Sequence, residues 1–215
     1  MKKQTIPICF DLDHTLLDTL QIRKDIFALA KPYGVKTVQL HQAHGGAIGS
    51  RFTPRKFVSR LGIAAYDQTE LLRKIWVLLG ATRRYYVYPR VPTLLARLAK
   101  NTPLYLVTHG DPYYQRVKLQ QSGLAHYFSR VLVTPEITKE KMLRRLYAQS
   151  RGKILMIDDS RRVQQSAGGI GFPIIKVRKS YKDSMYFAKL YETVEKYQAL
   201  LSSGSFPPNF APKSH

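Results

Sequence analysis

The chain is nearly without cysteine: Cys9 is the one thiol among 215 residues. An internal disulfide framework is therefore excluded, and a reducing compartment is the expectation. Long apolar runs are missing as well. No stretch approaches the roughly 18 residues of a membrane-spanning helix. The apolar segment Ile6–Phe10 meets Asp11 too early to serve as the core of a signal peptide. These absences predict a cytoplasmic protein with no membrane partner. Acids are scarce, 14 Asp and Glu against 35 Lys and Arg, giving a formal charge of +21 and a pI near 10.2. Internal repeats are lacking, and so is any block of about five like charges, which argues against a basic arm or tail.

What is present suits a packed core. Hydrophobic residues make up 44% of the chain, enough to exclude wholesale disorder, and the length fits one domain or a core with an insert. The positive charges lie scattered in pairs such as Arg23/Lys24, Arg55/Lys56, Arg83/Arg84, Arg144/Arg145 and Arg161/Arg162. Three readings of them stay open: a generally solvated basic surface, a face for nucleic acid, or attraction of a small anionic substrate.

Short apolar, β-branched or aromatic runs at Ile6–Phe10, Leu104–Thr108, Val131–Val133, Ile154–Ile157 and Ile174–Val177 read as buried strands. Helical patterns separate the last four: Pro112–Ser122 with Tyr113, Val117 and Leu119; Thr138–Ala148 with Met142, Leu143 and Leu146; and Ser160–Ala167 before a stop at Gly168-Gly169. Strand alternating with helix predicts an α/β fold, a Rossmann-like parallel sheet with helices on both faces.

The stretch between the first two strands is far longer than the dozen or two residues that a crossover needs. Leu94–Leu98 supplies the crossover helix. The remainder reads as helical, with candidates at Ile22–Ala30, Pro54–Leu61 and Asp67–Leu79 and a flexible break at Gly45, Gly46 and Gly49. The expected organisation is a core of residues 1–16 and 89–201, a small inserted helical domain over 17–88, a last helix near Tyr181–Leu201, and a fraying tail over 202–215.

Four of the few acids fall in two pairs, Asp11 with Asp13 and Asp158 with Asp159, each after a predicted buried strand. Ligands of open α/β sheets bind beyond the carboxyl ends of the strands. Carboxylates converging there repel unless a cation joins them, and hard oxygen donors favour Mg²⁺. Helix capping by Asp accounts for one acid per turn and poorly for two adjacent pairs.

The local words are Cys-Phe-Asp-Leu-Asp-His-Thr at 9–15, LYLVTHGD at 104–111 and ILMIDDS at 154–160. In order and strand context they resemble the haloacid dehalogenase-like (HAD) superfamily. So do YPRVPTLLARL at 88–98, GDPYYQRVKLQQSGLAHYF at 110–128 and SAGGIGFPIIKV at 166–177. The likeness covers nearly the whole chain and includes a helical cap inserted after the first motif. It implies a phosphatase working through an aspartyl-phosphate: Asp11 as nucleophile, and Asp13 as general acid and then base. The phosphate-binding residues it implies are Thr108, His109 and a lysine. Lys139 fits the family's lysine-to-leucine spacing with Leu143, and Lys141 is the less favoured choice. The implied Mg²⁺ ligands are Asp11, Asp13 through its backbone carbonyl, Asp158 and Asp159.

Three positions depart from the family pattern. Asp158 stands where many members have Gly, Val163 stands near a place where a further acid is common, and His109 stands where relatives often carry Asn. His14 occupies the variable position of the first motif. The second acid, Asp13, separates phosphatases from dehalogenases, because a halide leaves without a proton. The expected substrate is a small phosphorylated metabolite. A nucleic-acid end, nucleic-acid binding on the same fold, and a phosphomutase activity are the alternatives.

Overall fold

The structure is a computed structural model that describes residues 6–49, 51–80, 85–136, 139–161, 163, 165, 173–177 and 184–203. Five parallel strands form one sheet: β1 (Ile8–Phe10), β2 (Leu104–His109), β3 (Phe128–Thr134), β4 (Leu155–Asp158) and β5 (Ile174–Lys176), in the order β3-β2-β1-β4-β5. The chain first builds outward from β1 through β2 to β3 and then crosses to β4 on the other side. The switch point is β1, where Phe10 pairs with Leu106 and with Ile157. A crevice opens at such a switch beyond the carboxyl ends of the strands.

Alternation along the strands divides the core between the two faces. Ile8 and Phe10 pack with Leu104, Leu106, Leu155 and Ile157 against helix α5 (Val91–Ala99) and the last helix, α8 (Ser184–Ser203). Cys9, Val107 and Met156 face the other way, onto Leu143 and Leu146 of α7 (Glu140–Gln149). Burying each such aliphatic side chain is worth about 1.5–3 kcal/mol. Cys9 is inert packing, its thiol pushed far up by burial.

Between β1 and α5 lie α1 (Thr19–Ala30), α2 (Thr37–Gly49), α3 (Pro54–Ser59) and α4 (Ala65–Gly80). They build a cluster of their own around Ile22, Ile26, Phe57, Leu71, Ile75 and Leu79. Two adjacent connections run between this insert and the sheet, joined by Asp18 N–H to Tyr86 O at 2.8 Å and Tyr88 N–H to Leu16 O at 3.1 Å. The insert also touches α6 (Pro112–Gln121): Phe52 lies 5.5 Å from Tyr114, and Trp76 lies 5.9 Å from Tyr113, ring to ring.

Several expectations need correction. The break at Gly45, Gly46 and Gly49 does not exist, because α2 runs unbroken to Gly49. A Cβ at Gly46 would make an ordinary contact with the Arg60 side chain, 3.4 Å from its Nε, so packing does not require glycine there. The third strand is longer than Val131–Val133, because exposed Ser129 and Arg130 interrupt its apolar pattern at a sheet edge. In α6 the buried face is Tyr114, Gln115, Lys118 and Leu119, while Tyr113 is exposed. Of the helix expected at Ser160–Ala167, Arg161, Val163 and Gln165 are helical. Its end, the Gly168-Gly169 stop and the tail beyond Ser203 lie outside the described residues.

His44 carries a pH signature for the insert. It packs 5.8 Å from Phe27 and 5.1 Å from Phe52, and burial, with Arg23 and His41, holds its pKa near 4 instead of 6.5. The unfolded chain then binds the proton more readily, so stability is full above the unfolded value and falls as the pH drops from 6.5 toward 4. Melting temperatures measured across this range are expected to decline less in His44→Gln than in the wild type. Parallel curves would exclude His44 as a source of the decline.

Candidate active site

The site begins where β1 stops. The N–H of Asp11 donates to the carbonyl of Ile157 at 3.0 Å, which sets Asp11 beside the end of β4. The residue is 6% exposed. Asp158 closes β4 and is fully buried. Lys139, the N-cap residue of α7, reaches both: Nζ stands 2.6 Å from Asp11 Oδ1 and 2.7 Å from Asp158 Oδ2. The second oxygen of Asp158 accepts from the N–H of Ser160 at 2.8 Å. Asp159 completes a cluster with Asp11 and Asp158, in which one oxygen of each lies within 4.8 Å of the others.

Asp13 belongs to a separate set. The turn after β1 includes His14 with φ 58°, and His14 N–H donates to Leu17 O at 2.9 Å. This turn sends the Asp13 side chain toward α1 and α6. Thr19 Oγ1 donates to Asp13 Oδ1 at 2.8 Å, Gln115 Nε2 donates to Oδ2 at 2.8 Å, and Lys118 forms an ion pair with Oδ1. Gln115 Nε2 also donates to Thr108 Oγ1 at 3.3 Å and to the carbonyl of His109. Thr108, at the end of β2, is 1% exposed. His109 follows it, its proton affinity lowered by burial and then by Lys139.

The electrostatics follow from this division. Burial pushes the Asp11 carboxyl up and Lys139 pulls it down; with Asp158 and Asp13 also pressing upward, the balance is raised. Asp158 is raised as well, again chiefly by burial. Burial would strip Lys139 of its proton, but Asp11 and Asp158 outweigh it and hold the ammonium charged. Desolvation also acts on Asp13, yet Lys118, Gln115 and Thr19 prevail and bring it down to about 2. Four carboxylates thus face two ammonium groups, which leaves two negative charges. Hard oxygen donors at this spacing, with that residual charge, fit a divalent cation.

Asp11, Lys139, Asp158 and Asp159 come together at one point, and Thr108 and Asp13 flank it. Lys141 does not join them: its side chain is 86% exposed and points toward Glu136. Val163 is buried with Leu143, Met156 and Ile174 and adds packing at its position. Sequence reasoning missed Gln115 and Lys118. The available signal was their i, i+3 spacing, which puts both on one helix face beside Tyr114 and Leu119.

Gly110 is the backbone device that seats Gln115. Its φ is 140°, and an added Cβ would lie 2.9 Å from Gln115 Nε2. Gly110→Ala is expected to displace the amide from Asp13 and Thr108. It should lower kcat for whatever substrate turns over by about tenfold or more while the protein still folds, as circular dichroism would check. Unchanged kcat would show that the Gln115 contacts are dispensable.

A family profile described as "Hydrolase: haloacid dehalogenase-like hydrolase" matches residues 8–162. A phosphoserine phosphatase of Thermus thermophilus is 45% identical over 56 residues, which is 26% of this chain and only 22% of that protein's length. Among solved structures, a haloacid dehalogenase-like family hydrolase from Xanthomonas campestris superposes with a TM-score of 0.68 at 19% identity, covering 94% of this chain and 96% of that one. The HAD-hydrolase YfnB from Bacillus subtilis, bound to magnesium, gives 0.63 at 19% identity over 89% of this chain and 99% of its own. These two likenesses concern the fold. With the profile matching most of the chain, the protein belongs to the haloacid dehalogenase-like hydrolase family.

Proposed function

We propose that the protein is a Mg²⁺-dependent phosphomonoester hydrolase acting on a small phosphorylated metabolite. The observation that carries this reading is the pairing of Asp11, buried against Lys139 and Asp158, with a second acid, Asp13, held apart by its own donors. Phosphoryl transfer needs a nucleophile, neutralised oxygens and a proton for the leaving group. The magnesium-bound relative and the phosphatase that shares a stretch of sequence agree with it.

A carboxylate oxygen of Asp11 attacks phosphorus as the bond to the ester oxygen breaks, and the proton of a phosphate monoanion passes through the Asp13 carboxylate to that oxygen. Asp13, again the carboxylate that Lys118 and Gln115 stabilise, takes a proton from water. The water oxygen attacks phosphorus, and inorganic phosphate leaves as the bond to Asp11 breaks. Lys139 keeps the nucleophile ionised, and Thr108 and His109 hold the phosphoryl group. When bound by Asp11, Asp158, Asp159 and the carbonyl of Asp13, Mg²⁺ supplies neutralisation of the phosphoryl charge. The helical insert, over 17–88, serves as a cap that excludes water and selects the substrate.

Hydrolysis of a panel of sugar, nucleoside, glycolate and amino-acid phosphates and of nucleic-acid ends, with and without Mg²⁺, tests the reading. At least one metabolite ester should turn over, and excess chelator should stop it. No hydrolysis of any phosphomonoester would overturn the proposal. Preference for nucleic-acid ends would assign the +21 charge to that substrate. Asp11→Asn, an isosteric exchange, should reduce turnover on the order of 10⁴-fold or more. A variant retaining a tenth of the activity would remove Asp11 from the nucleophile's role.

A further inference from the structure

We propose that Lys118 is a positioning residue of the reaction: from beneath the site, and without touching substrate, it fixes the Asp13 carboxyl where that carboxyl serves the leaving oxygen. The inference rests on the acid–base reading of Asp13 and goes beyond it. Lys118 is 1% exposed, on the inner face of α6. A lysine sealed from solvent loses its hydration at a substantial cost in free energy. An unbranched apolar side chain would fill the same volume without that cost. The ammonium must therefore do something that packing does not require.

Its partners say what that is. Nζ forms its ion pair with Asp13 Oδ1 and stands 4.8 Å from the Tyr114 ring. No other carboxylate contacts it among the described residues. Oδ1 is shared with Thr19, the first residue of the insert's first helix, and Oδ2 is taken by Gln115. A carboxylate offers about four lone-pair directions. The three donors occupy three of them and leave one for a group arriving at the crevice, toward which Asp13 remains 24% exposed. Thr19 and Gln115 are neutral; Lys118 contributes the charge. A fixed charge behind the carboxyl defines its orientation far more strongly than the neutral donors do.

The two buried lysines divide the site. Lys139 serves the nucleophile and the acids after β4, and Lys118 serves the acid–base group alone. Loss of Lys118 should therefore affect proton delivery and spare the rest. This gives a readout that a merely structural role would not move: release of the alcohol hardly needs Asp13 when the alcohol leaves without a proton, whereas the later attack of water needs it equally for every ester.

The experiment compares wild type, Lys118→Met, Asp13→Asn and the double variant on p-nitrophenyl phosphate and on phenyl phosphate, a poorer leaving group, with Mg²⁺. For Lys118→Met, kcat/KM, which reports the steps through release of the alcohol, should fall about 10- to 100-fold more on phenyl phosphate than on p-nitrophenyl phosphate. In the Asp13→Asn background the same substitution should change kcat less than about threefold. Equal losses of kcat/KM on both esters, or a further large loss in the double variant, would overturn the proposal. If Lys118→Met fails to fold because it strands the Asp13 charge, the double variant carries neither charge, and its comparison with Asp13→Asn decides the question. Wild-type inactivity on both esters and on the metabolite panel would instead refute the phosphatase reading, and this inference with it.

Discussion

The ammonium of Lys139 between Asp11 and Asp158 is the contact on which the rest of the site depends. Both carboxylates end adjacent strands of one parallel sheet, and both are almost sealed from water. Without a cation between them they could not both ionise at that spacing. The lysine comes from the start of α7, the crossover that carries the chain from β3 past β2 and β1 to β4. The topology therefore supplies the charge that the strand ends require.

A second carboxylate–lysine pair stands apart from the first. Asp13 lies two residues beyond Asp11, yet it faces α1 and α6, because the turn at His14 redirects the chain. One acid is raised by burial and shared charge, and the other is lowered by three donors. Neighbouring carboxyls whose environments push their proton affinities apart suit different tasks in one reaction. Thr19 ties the second acid to the insert, so the junction between insert and sheet passes through the site itself.

The central strands were legible because β1, β2 and β4 are mainly apolar runs, polar only toward their carboxyl ends, and their apolar residues pack on both faces. Edge strand β3 was legible only in its middle, where its polar residues do not interrupt the run. In α6, Tyr113 and Val117 pass for a core face by hydropathy. The true face holds Gln115 and Lys118, whose burial is bought by Asp13, a partner about a hundred residues away in sequence. The glycines of α2 suggested a break because glycine is a weak helix former, yet the helix runs through Gly45 and Gly46 to Gly49.

By itself the sequence determined the alternation of strands and helices, the long insert after the first strand, and the acid pairs at two strand ends. Each is a local pattern of hydropathy or charge, readable wherever the chain goes. The resemblance to the family narrowed the lysine to Lys139 or Lys141, two residues apart, and favoured Lys139. Only the tertiary structure decided which of them meets carboxylates, that Asp13 is held by α6, and that Gly110 must lack a side chain to admit Gln115. Those outcomes turn on distances of a few ångströms between segments far apart in the chain. Such distances are set by packing and strand register, which no single segment encodes.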